Sequence, residues 1–261
     1  MDLNLSGKTA LVIASSQGLG YAIAQALVKE GANVMISGRD EEKLKKKAEE
    51  LASIGKGSVE FQKADITKTE DIKLLVSKTI ETFGGLQLLV NNAGGPPAGT
   101  FEDLTDDEWQ SAFELNLLSY VRVIREALPY LKKDGGKILN IASSSIKEPI
   151  PGLILSNTFR TGIVGLSKSL ASEFASYNIL INTIAPGRIA TDRVKHLDQI
   201  NADKQGVDIK TVELSMKETI PLKRYGTPEE FANVAAFLLS DANTYMTGSS
   251  FLVDGGMIKA I

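Results

Sequence analysis

"TALVIASSQGLGYAIAQALVKEG", residues 9–31, is the stretch that decides the architecture. It opens with a short apolar run, 9–15, of the length and composition of a strand buried on both faces. A turn carrying Gly18 and Gly20 follows, and the pattern then becomes helical over 20–31, with Gly31 placed to close the helix C-terminus. A buried strand that turns through glycines into a helix is the opening of a βαβ unit. Two glycines in such a turn also serve tight packing, so the turn alone does not establish a ligand.

The alternation continues outward from this stretch. Strands are expected at 32–38, 58–65, 86–94, 136–143, 178–186 and 249–253. Between them lie helical patterns over 40–55 (with Asp40 as N-cap), 67–84, 105–133, 152–176 and 228–239. Strands buried on both faces, each followed by a helix, predict a doubly wound parallel α/β sheet of Rossmann type, with about seven strands and helices on both faces. There is no internal repeat or linker, so residues 1–261 read as one domain. The rhythm breaks at about 188–220, where mixed polar helices follow a strand end; an insertion there is expected to be a substrate lid.

Composition excludes several classes. The net charge of −3 offers no polycationic surface for nucleic acid. The absence of cysteine removes disulfide and thiolate chemistry, and one histidine leaves too few ligands for a zinc site, so no metal is expected. No run approaches about 18 apolar residues, which argues against a membrane span. The N-terminus lacks the basic-then-apolar layout of a signal peptide, and the expectation is a soluble cytoplasmic protein.

Several residues fall at the carboxyl ends of the expected strands. Ser15 and Ser16 would add hydroxyl donors to the turn formed with Gly18, Leu19 and Gly20, where free N–H groups and the helix dipole favour a pyrophosphate. Arg39, after the second strand, suits the 2′-phosphate of NADP, or is simply an exposed arginine opening a helix. Asp65, with Ile66 beside it, ends the third strand where a carboxylate can accept from an adenine amino group. Asn91, Ala93 and Gly94 end the fourth strand in a turn with room for a ribose. "GGPPAG" (94–99) is a rigid turn that either borders a substrate pocket or is purely structural. Trp109 and Phe113 are read as helix packing.

On these residues the chain resembles the short-chain dehydrogenase/reductase family over about residues 6–256. The family's TGxxxGxG appears with Ala14 in place of the first glycine, a replacement expected to be tolerated where φ is negative. NNAG stands at Asn91–Gly94, the helix asparagine at Asn116, and PGxxxT at Pro186, Gly187 and Thr191; "IPLKRYGTPEE" and "VDGG" also match. Within the family the chain is similar to the 3-oxoacyl carrier-protein reductase and glucose-dehydrogenase-like group. The resemblance implies hydride exchange between a nicotinamide cofactor and a carbonyl or alcohol carbon, with NADP(H) preferred and NAD(H) possible. It also implies a homotetramer packed through two long helices, and places Ile189 beside the nucleotide.

The match fails at the catalytic pair. Ser143 holds the family's serine position, yet thirteen residues on stands Ser156 instead of tyrosine, and four further Arg160 instead of lysine. Tyr130 and Tyr177 do not rescue the motif in a shifted register. Ser156 and Arg160 lie one helical turn apart and can share a face. The serine hydroxyl is shorter and a weaker acid than a phenol, whereas Arg160 keeps a positive charge for ribose hydroxyls or a carboxylate. Three readings follow. The chain is an oxidoreductase in which water, Ser143 or His196 delivers the proton; or a nucleotide-binding sensor or partner subunit without turnover; or an enzyme whose Arg160 anchors an anionic substrate for other chemistry. Both replacements are polar, where drift into a helix interface would favour apolar side chains.

Overall fold

The computed structural model describes residues 2–260. Seven parallel strands form one sheet: β1 (Thr9–Val12), β2 (Asn33–Gly38), β3 (Val59–Lys63), β4 (Leu88–Asn91), β5 (Gly136–Ile141), β6 (Ile179–Pro186) and β7 (Ser250–Val253). Their spatial order is β3-β2-β1-β4-β5-β6-β7. The chain therefore builds outward from β1 in one direction and then from β4 in the other. The crevice between the carboxyl ends of β1 and β4 is where such sheets receive ligands.

Nine α-helices are seen among the described residues. They are α1 (Gly18–Lys29), α2 (Glu41–Ala52), α3 (Thr69–Phe83), α4 (Asp106–Phe113), α5 (Ser119–Asp134), α6 (Ile154–Glu173), α7 (Asp192–Gln205), α8 (Ile209–Thr219) and α9 (Pro228–Leu239). Alternation along the strands sends side chains to two separate cores. Ala10, Val12, Val34 and Ile36 face α1, α2 and α9, whereas Leu11, Ile13, Met35 and Leu89 face α3, α5 and α6. The doubly wound architecture is thus present with one apolar core on each face. Small side chains at Ala22, Ala26, Ala232 and Ala236 let α1 and α9 lie close together.

Local signals place most helix ends. Asp40 caps α2 by accepting from the Lys43 N–H, and Thr105 and Thr227 form capping boxes with Glu108 and Glu230 at α4 and α9. Gly31 follows α1 at φ +86°. The expected helix 105–133 is not continuous: a five-residue π-helical stretch, Glu114–Leu118, separates α4 from α5. The insertion after β6 is a helix pair, α7 and α8. No helix among the described residues is long and apolar enough to cross a membrane.

One expectation is overturned at the first turn. Ala14 has φ +50°, in the left-handed region, so its methyl is not accommodated at negative φ. Its backbone is held there by the Ser37 hydroxyl on its N–H (3.3 Å) and the Asn92 amide on its carbonyl (3.0 Å). A non-glycine residue in this conformation costs roughly 1–2 kcal/mol. Ala14→Gly is therefore expected to stabilise the fold by about 1 kcal/mol, raising Tm by about 2–4 °C for a domain of this size. A thermal melt in which the variant unfolds at or below the wild-type temperature contradicts this.

Candidate active site

The first turn joins β1 to α1 at the sheet's carboxyl edge. Gly18 has φ +59°, and a side chain there would meet only the Thr191 Cγ2, at 3.9 Å. The space over this glycine is open. Gly20 has the opposite function: a Cβ would lie 2.7 Å from the Ala14 carbonyl and 2.8 Å from the Asn92 amide, so its lack of a side chain lets these groups meet. Gln17 makes no side-chain cap on α1, and no carboxylate occupies the helix's first turn. The N–H groups of that turn thus remain open to an anion. Leu19 is half-buried against the α1–α9 core.

Ser15 does not supply a free hydroxyl. It is buried, donates to the Val12 carbonyl (2.6 Å) and accepts from the Ser37 N–H (3.0 Å), tying the turn to β2. Ser16 is different: its hydroxyl lies 3.3 Å from where a Gly38 Cβ would stand and makes no hydrogen bond among the described residues. Arg39 follows Gly38, is exposed and has no ion-pair partner among the described residues. At the next strand end, Asp65 accepts from the Thr67 N–H (3.0 Å) and hydroxyl (2.8 Å) through Oδ1. Its pKa is lowered: burial opposes ionisation, but these hydrogen bonds and the charges of Arg39 and Lys68 outweigh it. Ile66 is buried in the core under α3.

Asn91 also departs from expectation. Its side chain is 1 % exposed and its Nδ2 donates to Asn140 Oδ1 (2.8 Å). Asn140 in turn donates to Ser167 Oγ (2.9 Å), which also accepts from Thr183 (2.9 Å). This polar ladder crosses β4, β5 and β6 in register and ends on α6, so the side chain braces the sheet. The neighbouring Asn92, part of the NNAG stretch but given no separate role by the sequence, is the residue that fixes the glycine turn. The repeated asparagine after an apolar strand was the available signal.

Beyond β6, Pro186 is the last strand residue. Gly187 is needed for packing, because a Cβ would lie 2.5 Å from Asp254 Cβ. Ile189 buries its side chain in the α1–α9 core. Thr191 caps α7, its hydroxyl accepting from the Val194 N–H at 3.4 Å. His196, on the same helix, is exposed.

Arg160, on α6, is 5 % exposed and has no carboxylate beside it. Its Nη1 donates to the Tyr120 hydroxyl and the Ile141 carbonyl, both at 3.0 Å, and Nη2 to the Ala93 carbonyl at 3.3 Å, with Gly94 O at 3.5 Å. The guanidinium therefore clasps the ends of β4 and β5 and the start of α5. A planar fork reaches these separated acceptors where a point-like ammonium would not. Tyr120 was missed because it lies outside the expected motif, four residues beyond Asn116. It is a phenol beside a cation, yet it is not the missing acid. It is 1 % exposed, its own proton goes to the Ile141 carbonyl (2.9 Å), and burial raises its pKa although Arg160 opposes the shift.

Ser143 is half-buried at the start of a short 3-10 turn, Ser144–Ile146, that packs on α6; its hydroxyl accepts from the Ser145 N–H (3.2 Å) and donates to no acceptor among the described residues. Ser156 is half-buried in the first turns of α6 and makes no side-chain hydrogen bond among the described residues. Asn157 beside it clips the preceding loop through both the N–H (3.2 Å) and carbonyl (3.0 Å) of Ile150. Asn116 sits in the π-helical stretch packed against α6, fully buried, with neither side-chain polar atom partnered among the described residues. Single π turns inside helices are frequent at functional sites. Trp109 and Phe113 both pack on Phe159, as helix packing.

The chain as a whole is similar to known oxidoreductases. The family model described as enoyl-(acyl carrier protein) reductase matches residues 13–258. The oxidoreductase YvrD of Bacillus subtilis is 36% identical over 266 residues, covering 100% of both chains. The 3-oxoacyl-[acyl-carrier-protein] reductase FabG of Chlamydia muridarum is 36% identical over 258 residues, covering 98% of this chain and all of that one. Among solved structures, L-sorbose reductase from Gluconobacter frateurii, complexed with NADPH and L-sorbose, superposes with a TM-score of 0.95 at 34% identity over 100% of both chains. YwfH, an NADPH-dependent reductase involved in bacilysin biosynthesis, gives 0.93 at 29% identity over 97% of this chain and 99% of that one.

Asn92→Ala leaves the Ala14 carbonyl without its donor at a strained turn, and is expected to cost about 1–3 kcal/mol. Urea denaturation measures it; an unchanged midpoint would remove the asparagine from this account.

Proposed function

Because the chain belongs to the short-chain dehydrogenase/reductase family, we propose that it exchanges a hydride between NADP(H) and a carbonyl or secondary alcohol, with its proton coming by a route other than a tyrosine. The carrying observation is the open surface over Gly18 at the uncapped start of α1, with unpartnered Ser16 and Arg39 beyond it. These groups fit a phosphorylated dinucleotide: the α1 N–H groups would meet the pyrophosphate, and Ser16 and Arg39 the 2′-phosphate. Asp65 keeps one carboxylate oxygen unengaged for an adenine amino group. The NADPH named with the sorbose reductase and YwfH supports the same preference.

When bound, the nicotinamide supplies or accepts the hydride. Everything else falls to the chain's own side chains. Ser143, whose proton is uncommitted, donates to the carbonyl oxygen. Arg160 contributes a fixed positive charge in a dry setting and lowers the energy of the negative charge that develops on that oxygen. Its two Nη groups are engaged on the Tyr120 hydroxyl and on backbone carbonyls, so it acts through its field and through the shape it imposes rather than as the ribose-holding group the resemblance suggests. Asn116 holds a water that delivers the proton, both ends of its amide being otherwise unpartnered. A second reading, a nucleotide-binding subunit without turnover, draws on the same engaged guanidinium and on the absence of any phenol at Ser156.

Arg39→Ala is expected to weaken NADPH binding by about 10- to 100-fold and to leave NADH nearly unchanged, the scale of one charge-assisted hydrogen bond. Nucleotide fluorescence titration reads this, and equal losses for both nucleotides would count against the 2′-phosphate assignment. Ser143→Ala is expected to lower kcat by about 10²- to 10³-fold with NADPH binding intact. Turnover of a carbonyl panel that begins only in the Ser156→Tyr/Arg160→Lys double variant would favour the non-catalytic reading.

A further inference from the structure

We propose that the carbonyl substrate carries a carboxylate, held by Arg193 on α7 at the mouth of the crevice. The proposal rests on the hydride-transfer reading and adds the substrate's chemical class. Arg193 is half-buried, and its Nη2 donates to the Pro96 carbonyl at 2.8 Å. Its guanidinium lies against Gly95 so closely that a Cβ there would stand 2.8 Å from Nη2, 2.9 Å from Nε and 3.0 Å from Cζ. The turn beyond β4 is thus cut to seat an arginine. The remaining N–H groups of Arg193 make no hydrogen bond among the described residues.

Charge bookkeeping makes the arrangement informative. Arg160 grips the carbonyls of Ala93 and Gly94 and Arg193 that of Pro96, so two guanidinium groups bracket one four-residue turn. Neither has a carboxylate among the described residues, whereas the part-buried Arg188 on the same insertion is paired with Asp198. Burial, and then the like charge of Arg160, depress the pKa of Arg193, so its cationic form is under strain where it stands. The chain has 32 acidic residues available and places none here. Two desolvated like charges without an anion are best relieved by an anionic ligand, and a guanidinium edge matches a carboxylate bidentately. The pyrophosphate is accounted for at the start of α1, which leaves this pair to the substrate. The reduction balances without another reactant: the hydride reaches the carbonyl carbon, the cofactor is oxidised, a water-derived proton completes the alcohol, and the carboxylate is unchanged.

The experiment compares acids with their uncharged esters: benzoylformate against methyl benzoylformate, and acetoacetate against methyl acetoacetate, with NADPH. Wild type is expected to favour an acid by about 10- to 100-fold in kcat/KM, mostly through KM, and Arg193→Met to erase the preference while leaving NADPH affinity intact. Gly95→Ala, which keeps the arginine but displaces a flexible side-chain end, is expected to act the same way and guards against misfolding of the first variant. Equal use of acid and ester by wild type overturns the proposal, as does a loss confined to NADPH binding or a preference for dihydroxyacetone phosphate over both acids. If neither acid nor ester is reduced, hydride transfer to these carbonyls fails as a reading. Calorimetry of benzoylformate with the NADPH-loaded protein then decides the site alone: binding that Arg193→Met abolishes supports it, and no binding overturns it.

Discussion

A single buried guanidinium joins the carboxyl ends of β4 and β5, and the crevice takes its shape and charge from that contact. Parallel strands all present their last carbonyls to the same edge, so that edge needs donors. Arg160 supplies them to Ile141 and Ala93 while also meeting Tyr120 on α5. Its acceptors are neutral, which satisfies hydrogen bonding and leaves the charge uncompensated. The result is a positive field at the place where strand ends, the serine turn and α6 come together.

Two asparagines divide the work of keeping that edge rigid. Asn91 turns into the sheet and begins the ladder through Asn140 to Ser167 and Thr183, a fully internal use of polar groups that fixes the register of three strands. Asn92 turns toward β1 and holds the carbonyl of a strained Ala14. The left-handed alanine persists because its N–H and carbonyl are both held by neighbours. Strain stored in a ligand-binding turn and offset by surrounding hydrogen bonds is a common arrangement. Gly20 makes the exchange possible by leaving room for both groups.

Some of the site was plain in the residue order and some was not. Gly18 opens α1, Arg39, Asp65 and Ser143 follow strand ends, and Arg160 lies on α6, where local pattern put them. Ser15 does not offer the free hydroxyl expected of it, because a residue near a crevice can still point into the core or onto its own backbone, and spacing does not report direction. Tyr120 went unnoticed and Asn92 was given no separate role because each acquires its meaning from a partner in a different element. Arg193 was hidden within a polar helix of an insertion, and only its seat on Gly95 distinguishes it from the other cations there.

Hydrophobic alternation, glycine punctuation and capping residues act over a few positions, so residue order by itself determined the doubly wound sheet, the starts of capped helices such as α2, and the family. It also determined that no phenol or ammonium would stand at 156 and 160. Where the charge of Arg160 goes, which asparagine braces the sheet, and that a second arginine brackets the same turn with no carboxylate paired to either among the described residues were settled only in three dimensions. Those outcomes depend on contacts between elements far apart in the chain, where burial and hydrogen-bond geometry, rather than local preference, set the energy.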